Sequence, residues 1–296
     1  MTTLSATPRK RSMRATLADT DMLIMFGAYD ALSARIIEQS SSPALFVSGF
    51  GVVGARYGVP DIGLRSFGDI SATVRDITAA VSIPVLVDAD DGYGDVKNVV
   101  HTVRSYEQIG ASAVMIEDQQ WPKRCGHMAN KTVVPRAEFV AKIRAAAAER
   151  CDPETMIFAR TDARAVHGLA DALHRAEACL DAGADALFIE APETVEELER
   201  IGAEFDVPLL ANPLPGGVSP VLSPEEYQQL GFSIVCYGIT PVLTAAGAIR
   251  SRIKDIQHGR FALADRDMSF ADFKELVGLP EWESIEERHR DMTAEG

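Results

Sequence analysis

Short apolar runs rich in β-branched residues alternate with longer amphipathic stretches along most of the chain. The runs predict strands at Met22–Phe26, Ala44–Val47, Pro84–Val87, Ala113–Ile116, Met156–Ala159, Ala186–Ile189, Pro208–Ala211 and Ser233–Cys236. Several are continuously apolar, as parallel strands covered by helices are. The amphipathic stretches predict helices at Ala31–Gln39, Val96–Ile109, Arg136–Arg150, Leu169–Asp181 and Val195–Glu204. Two segments echo one another: Ile109–Asp118 and Ala182–Ala191 each read as a helix ending at Gly, a tight turn, and a strand closing on Glu. Repeated βα units imply a parallel sheet, and eight of them imply a (β/α)8 TIM-type barrel. A doubly wound open sheet is the runner-up, but no GxGxxG follows the first run. The expected organisation is a flexible N-terminus over 1–16, a catalytic barrel over 17–260 and a C-terminal helical extension over 261–296.

Composition narrows the functional classes. The 296 residues hold 29 basic against 43 acidic side chains, a net charge of −14. That balance excludes a broad nucleic-acid surface, while leaving room for an anionic substrate in a locally positive pocket. Cys125, Cys151, Cys179 and Cys236 form no CxxC pair and are expected to be reduced thiols in a cytoplasmic protein. No apolar run has the length of a membrane span. Arg9, Lys10, Arg11 and Arg14 allow a transit or nuclear signal, but a loose basic terminus fits better because no apolar region follows.

Barrel enzymes work at the C-terminal ends of their strands, and polar residues recur there. After the successive runs come Tyr29 and Asp30, Ser48-Gly49-Phe50, Asp88-Ala89-Asp90, Glu117-Asp118, Arg160-Thr161-Asp162, Glu190, Asn212 and Tyr237. Asp88 and Asp90 flank one residue of an expected extended segment, so both carboxylates can face one way. With Glu117 they would form a cluster that repels itself unless a cation lies within it. Oxygen donors of this kind suit Mg²⁺ or Mn²⁺. Asp91 and Asp95 read instead as solvated or helix-capping residues.

Lys123-Arg124-Cys125-Gly126-His127 follows the fourth run. A thiol among basic residues ionises more readily than a free one, near about 8.5, and can exchange protons with carbon. Gly126 leaves a backbone N–H open to a carboxylate, and His127 offers another donor. Cys151, Cys179 and Cys236 read as packing residues. Arg160, aimed into a barrel mouth, would hold an anion or pair with Glu190 or Glu117.

Ser48-Gly49-Phe50, Val87-Asp-Ala-Asp90, Ile116-Glu-Asp118, Lys123-Arg-Cys-Gly-His127 and Ala159-Arg-Thr-Asp162 together resemble the isocitrate lyase/phosphoenolpyruvate mutase superfamily, from about Phe26 to the C-terminus. The cysteine segment resembles its lyase branch, which cleaves 2-alkylmalates, 2,3-dimethylmalate and methylisocitrate. The resemblance implies a Mg²⁺-dependent carbon–carbon lyase acting on a 2-hydroxy dicarboxylate, with Cys125 as general acid/base. It implies that Asp88, Asp90, Asp61 and Glu117 hold the metal and its waters. Ser48, Gly49, Phe50, Lys123, Gly126, His127, Arg160, Glu190 and Asn212 would surround the substrate. It also implies a homotetramer in which the helix Thr240–Gln257 is swapped between subunits. Two departures bear on specificity. Phe50 stands where methylisocitrate lyases have glycine, which favours a dicarboxylate. Gly238 stands near a serine of oxaloacetate hydrolases, which weakens that activity. Oxaloacetate acetylhydrolase, methylisocitrate lyase, phosphorus–carbon chemistry and a non-catalytic diacid-binding barrel are the alternatives.

Overall fold

The computed structural model describes residues 11–290, with the exception of His127 and Ala129. Its strands are β1 (Leu23–Ala28), β2 (Leu45–Val47), β3 (Val85–Asp88), β4 (Ala113–Glu117), β5 (Met156–Thr161), β6 (Ala186–Ile189), β7 (Leu210–Ala211) and β8 (Ile234–Tyr237). The helices around them are α1 (Met13–Ala18), α2 (Ala31–Gln39), α3 (Gly49–Tyr57), α4 (Phe67–Ala80), α5 (Val96–Gln108), α6 (Arg136–Glu149), α7 (Arg164–His167), α8 (Leu169–Asp181), α9 (Val195–Glu204), α10 (Pro224–Gln229), α11 (Thr240–Gln257), α12 (Phe270–Leu276) and α13 (Leu279–Arg290). The strands pair in parallel in the order β6-β5-β4-β3-β2-β1-β8-β7. A parallel bridge from Leu187 to Leu209 brings the two ends of that sheet together. The chain therefore forms the (β/α)8 barrel that its alternating pattern implies.

Strand periodicity sorts the core into two shells. Leu45, Val47, Val85, Val87, Val114, Ile116, Ile157 and Leu187 belong to the outer one, packed with helix residues such as Val74, Val103, Ile143 and Leu173. The alternate positions fill the barrel itself: Leu23 and Met25, Phe46, Leu86, Met115, Met156 and Phe158, Phe188, Leu210, Ile234 and Cys236. Cutting a fully buried ring such as Phe158 back to alanine costs about 3–5 kcal/mol.

Part of the segment expected to be a loose N-terminus is ordered. Ser12 caps α1 by accepting from the Ala15 N–H at 3.1 Å. Met13, fully buried, and Leu17 stand one helical turn apart and pack with the inner shell. Arg14 pairs with Asp185, just ahead of β6, at 2.7 Å, so α1 lies at the N-terminal end of the strands. The basic residues of this stretch masked its apolar spacing.

The chain divides into two compact units, one reaching Leu243 and the other starting at Thr244. The division falls inside α11, whereas the sequence pattern put a boundary near residue 260. The second unit holds α12, N-capped by Ser269, and α13. Within it Asp255 pairs with Arg260 at 2.7 Å and Arg266 at 2.6 Å. No helix among the described residues is long and apolar enough to cross a membrane, and none of the four cysteines is in a disulfide.

Candidate active site at the barrel mouth

The period of two that fills the barrel also builds the site. Continuing each inward-facing series by one position reaches Ser48 after β2, Asp88 in β3, Glu117 in β4, Arg160 in β5, Glu190 after β6, Asn212 after β7 and Gly238 after β8. Apolar side chains form the lower layers and polar ones the uppermost layer. A cavity opens there, lined on its polar side by Ser48, Asp61, Asp88, Lys123, Cys125, Gly126, Arg160, Glu190 and Asn212. Phe46, Phe50, Met115, Phe188, Leu210 and Ile239 line its apolar side. Gly49, Asp90 and Glu117 sit just behind the wall. The Gly49 N–H points to Asp88 Oδ2 at 3.4 Å, and Asp90 and Glu117 are buried. His127 lies outside the described residues.

The acidic residues are arranged differently from the expected extended pair. Asp90 has φ +48°, in the left-handed region, so the chain turns as it leaves β3. That turn lets the Asp90 N–H donate to Asp88 Oδ1 at 3.1 Å, and the Glu117 N–H donate to the Asp90 carbonyl at 2.8 Å. Lys123, expected to meet substrate, lines the cavity and also enters the cluster. Its Nζ lies 2.7 Å from Asp61 Oδ1 and 2.7 Å from Asp90 Oδ1. Glu117 Oε2 is 3.3 Å from Arg160 Nε. Among the described residues, no three Asp, Glu, His or Cys side chains converge at metal-ligating spacing.

The donor set nonetheless suits a hard cation. Glu117 Oε1 is buried without a hydrogen-bond partner, and Asp90 Oδ1 meets Lys123 without hydrogen-bond geometry. The buried described residues include eight carboxylates (Asp61, Asp88, Asp90, Asp91, Glu117, Asp118, Asp162 and Glu190) against five cations (Lys123, Lys131, Lys142, Arg160 and Arg175), an excess of three negative groups. Burial raises Asp90 to about 7 in spite of Lys123. It lifts Glu117 well above the carboxylate range against the pull of Arg160. Burial, helped by Asp162, brings Asp118 to about 6. A divalent cation among these oxygens would relieve both the charge excess and the orphaned atoms.

The cysteine segment is fixed over the cavity by several polar ties. Gln119 Oε1 accepts from the Arg124 N–H at 2.9 Å, and its Nε2 donates to the Arg124 carbonyl at 2.8 Å. Gly126 is seated against Arg160 and Glu190. A Cβ added there would lie 2.3 Å from Glu190 Oε2 and 2.5 Å from an Arg160 terminal nitrogen. Arg160 also reaches Asp162 Oδ2 from Nε at 3.0 Å, and Glu190 Oε2 from its terminal nitrogen at 3.2 Å. Burial alone would raise Asp162, but Arg160 and Lys131 outweigh it and hold the carboxyl at about 2.

Several participants escaped the reading of the sequence. Cys236, taken for packing, does pack, yet it also lines the cavity one layer below the polar ring. Burial pushes its thiol far up. Counting by twos from the Gly238 position would have found it. Lys142 donates to Asp91 at 3.2 Å from the apolar face of α6. Its place in register with Phe139 and Ala146 was a visible signal. Arg175, in the same register with Ala172 and Cys179 on α8, carried the same signal, and Lys131, in a loop, carried none.

Fold and site together define a barrel enzyme with a carboxylate cluster, an arginine and a thiol sharing one mouth. The model of the phosphoenolpyruvate phosphomutase family matches residues 13–257, and the chain belongs to that family, within the superfamily that its motifs resemble. Petal death protein of Dianthus caryophyllus is 38% identical over 98% of this chain and 92% of its own length. The 2,3-dimethylmalate lyase of Eubacterium barkeri is 36% identical over 94% and 96%. Among solved structures, oxaloacetate acetylhydrolase bound to 3,3-difluorooxalacetate superposes with a TM-score of 0.89 at 30% identity, covering 94% of this chain and 96% of that one. Phosphonopyruvate hydrolase in complex with oxalate and Mg²⁺ superposes with a TM-score of 0.82 at 31% identity, covering 93% and 97%.

Proposed function

We propose that this chain is a Mg²⁺-dependent carbon–carbon lyase that cleaves a 2-hydroxy dicarboxylate of the 2-alkylmalate or 2,3-dimethylmalate type to a 2-oxo acid and a carboxylate. The carrying observation is that Cys125, Arg160 and Asp88 line one cavity that has a polar side and an apolar side. Asp88, Asp90, Asp61 and Glu117 would hold Mg²⁺, or Mn²⁺ in its place, supplying Lewis-acid stabilisation at the C2 oxygen. Ser48, Asn212 and the Gly126 backbone bind and orient the carboxylates, and Phe50 and its apolar neighbours take the alkyl group. The C2–C3 bond breaks with its electron pair passing to C3, while the C2 hydroxyl loses its proton and becomes the 2-oxo group. Arg160 stabilises the charge that develops on the departing fragment. Cys125 delivers a proton to C3, the C2 hydroxyl proton passes to water and the thiolate takes one back from water, so the two products sum to the substrate and the thiol is restored.

The 2,3-dimethylmalate lyase relative, of nearly the same length, supports this reading. A second reading, hydrolysis of oxaloacetate to oxalate and acetate, draws support from the 0.89 TM-score likeness. Gly238 counts against it. The wall there has no side chain, and an added Cβ would come within 3.3 Å of the Phe46 ring.

A panel of 2-methylmalate, 2,3-dimethylmalate, methylisocitrate and oxaloacetate, with Mg²⁺ and with chelator, tests both. We expect Mg²⁺-dependent release of a 2-oxo acid from an alkylmalate, and a loss of about 10²–10⁴-fold in kcat for Cys125→Ser. Oxalate release from oxaloacetate as the faster reaction would favour the second reading. Parent-like turnover by Cys125→Ser would remove the thiol from the scheme.

A further inference from the structure

Lys131 is the most deeply placed cation of the cysteine segment, with 2% of its side chain exposed. Its ammonium donates to Asp162 Oδ1 at 2.7 Å and to the carbonyl of Gly126, the residue after Cys125. Asp162 is itself fully buried and takes Arg160 Nε on its other oxygen at 3.0 Å. One carboxylate thus links the anion-facing arginine of β5 to the backbone beside the thiol. Ordering a lysine in a dry site costs several rotamers and the hydration of a charge. Folding stability alone does not require that outlay, because Asp162 already has Arg160 as a partner.

We propose that Lys131 is a positioning residue for the lyase reaction: it fixes the Gly126 carbonyl to Asp162 and so holds Cys125 at the cavity in register with Arg160. The proposal deepens the functional reading and rests on it. Removing the amine frees the segment at its Gly126 tie, while the Lys123 and Gln119 ties upstream of Cys125 remain. The thiol then samples positions away from the cavity. Substrate carboxylates still meet Arg160, so KM changes little and kcat falls. The same loosening exposes the thiol to reagents.

The test compares parent, Lys131→Met and Lys131→Arg in the full-length protein. Iodoacetamide labelling is followed at each cysteine by peptide mass spectrometry, with exposed Cys151 as the internal reference. In Lys131→Met we expect the Cys125 labelling rate relative to Cys151 to rise about fivefold or more. We expect kcat on the alkylmalate to fall about 10- to 100-fold, with KM held within about threefold. Lys131→Arg, which keeps charge and donors, should fall between parent and Met on both readouts, and it serves if the methionine variant does not fold. An unchanged labelling ratio overturns the tether, and an altered ratio with parental kcat overturns its role in positioning. Should the parent turn over no 2-hydroxy dicarboxylate, the functional reading falls, while the labelling ratio still decides whether Lys131 holds the segment.

Discussion

At the scale of single residues, Gly126 is defined by what lies where its side chain would be. Glu190 and Arg160 already fill that space, at 2.3 and 2.5 Å from an added Cβ; Asp162 holds Arg160, which in turn pairs with Glu190. Gly126→Ala must push the segment off the arginine or the arginine off its carboxylates. Steady-state kinetics should show kcat lowered by about 10- to 100-fold, with a thermal midpoint near that of the parent. A parental kcat would mean that the contact is not kept during turnover. Glycine at this position was visible in the sequence as an open backbone donor, but its neighbours were not. Contacts between Gly126 and Glu190 join segments 64 positions apart, and only the closed ring of strands brings them together. Lys123 shows the converse. Its charge was legible and its direction was not, because a lysine stem reaches equally well to a substrate carboxylate or to Asp61 and Asp90.

Among the elements, β5 carries the heaviest electrostatic burden: Arg160, Thr161 and Asp162 are all buried at its end. Asp162 has its pKa lowered from 3.8 to about 2 in the folded protein. A depressed carboxylate stabilises the fold above its unfolded pKa, and that contribution disappears as pH falls through the folded value. The window therefore runs from about pH 4 down to about pH 2, and the stability lost is about 2 kcal/mol. Urea unfolding of parent and Asp162→Asn at pH 5, 4 and 3 should show a stability gap that narrows on acidification; a gap independent of pH would deny Asp162 this role. The strands themselves were easy to read, because parallel strands under helices are apolar on both faces. Helices α2, α8 and α9 begin and end where their patterns do, and α11 has the bounds that the resemblance implied. Helix α3 was missed. It runs Gly49-Phe-Gly-Val-Val-Gly, poor helix-forming sequence, and it forms because Ser48 caps it and Val52 and Val53 are buried. Helix α4 did announce itself through the Ser66–Asp69 capping box, a signal that the pattern of apolar spacing alone does not use.

At the scale of the whole molecule, the second unit and α11 present an unusual amount of apolar surface. Ile249, Ile253 and Ile256 recur at helical spacing along α11 and are 62%, 51% and 47% exposed. Phe261, Phe270 and Trp282 are 73%, 78% and 67% exposed. Large apolar side chains exposed over adjacent stretches of a chain are a signature of an interaction surface. The occupant to test first is another copy, because the resemblance implies a helix-swapped homotetramer. Light scattering coupled to size exclusion should give a mass near four times the 32.0 kDa chain. Replacing Ile249 and Ile253 together by aspartate puts two charges into the contact, each costly to bury. The double variant should elute as a smaller species, with a lower thermal midpoint that no longer depends on protein concentration. A monodisperse monomer of the parent at micromolar concentration would show instead that this stripe is left to some other occupant. The cavity at the barrel mouth would then be complete within one chain.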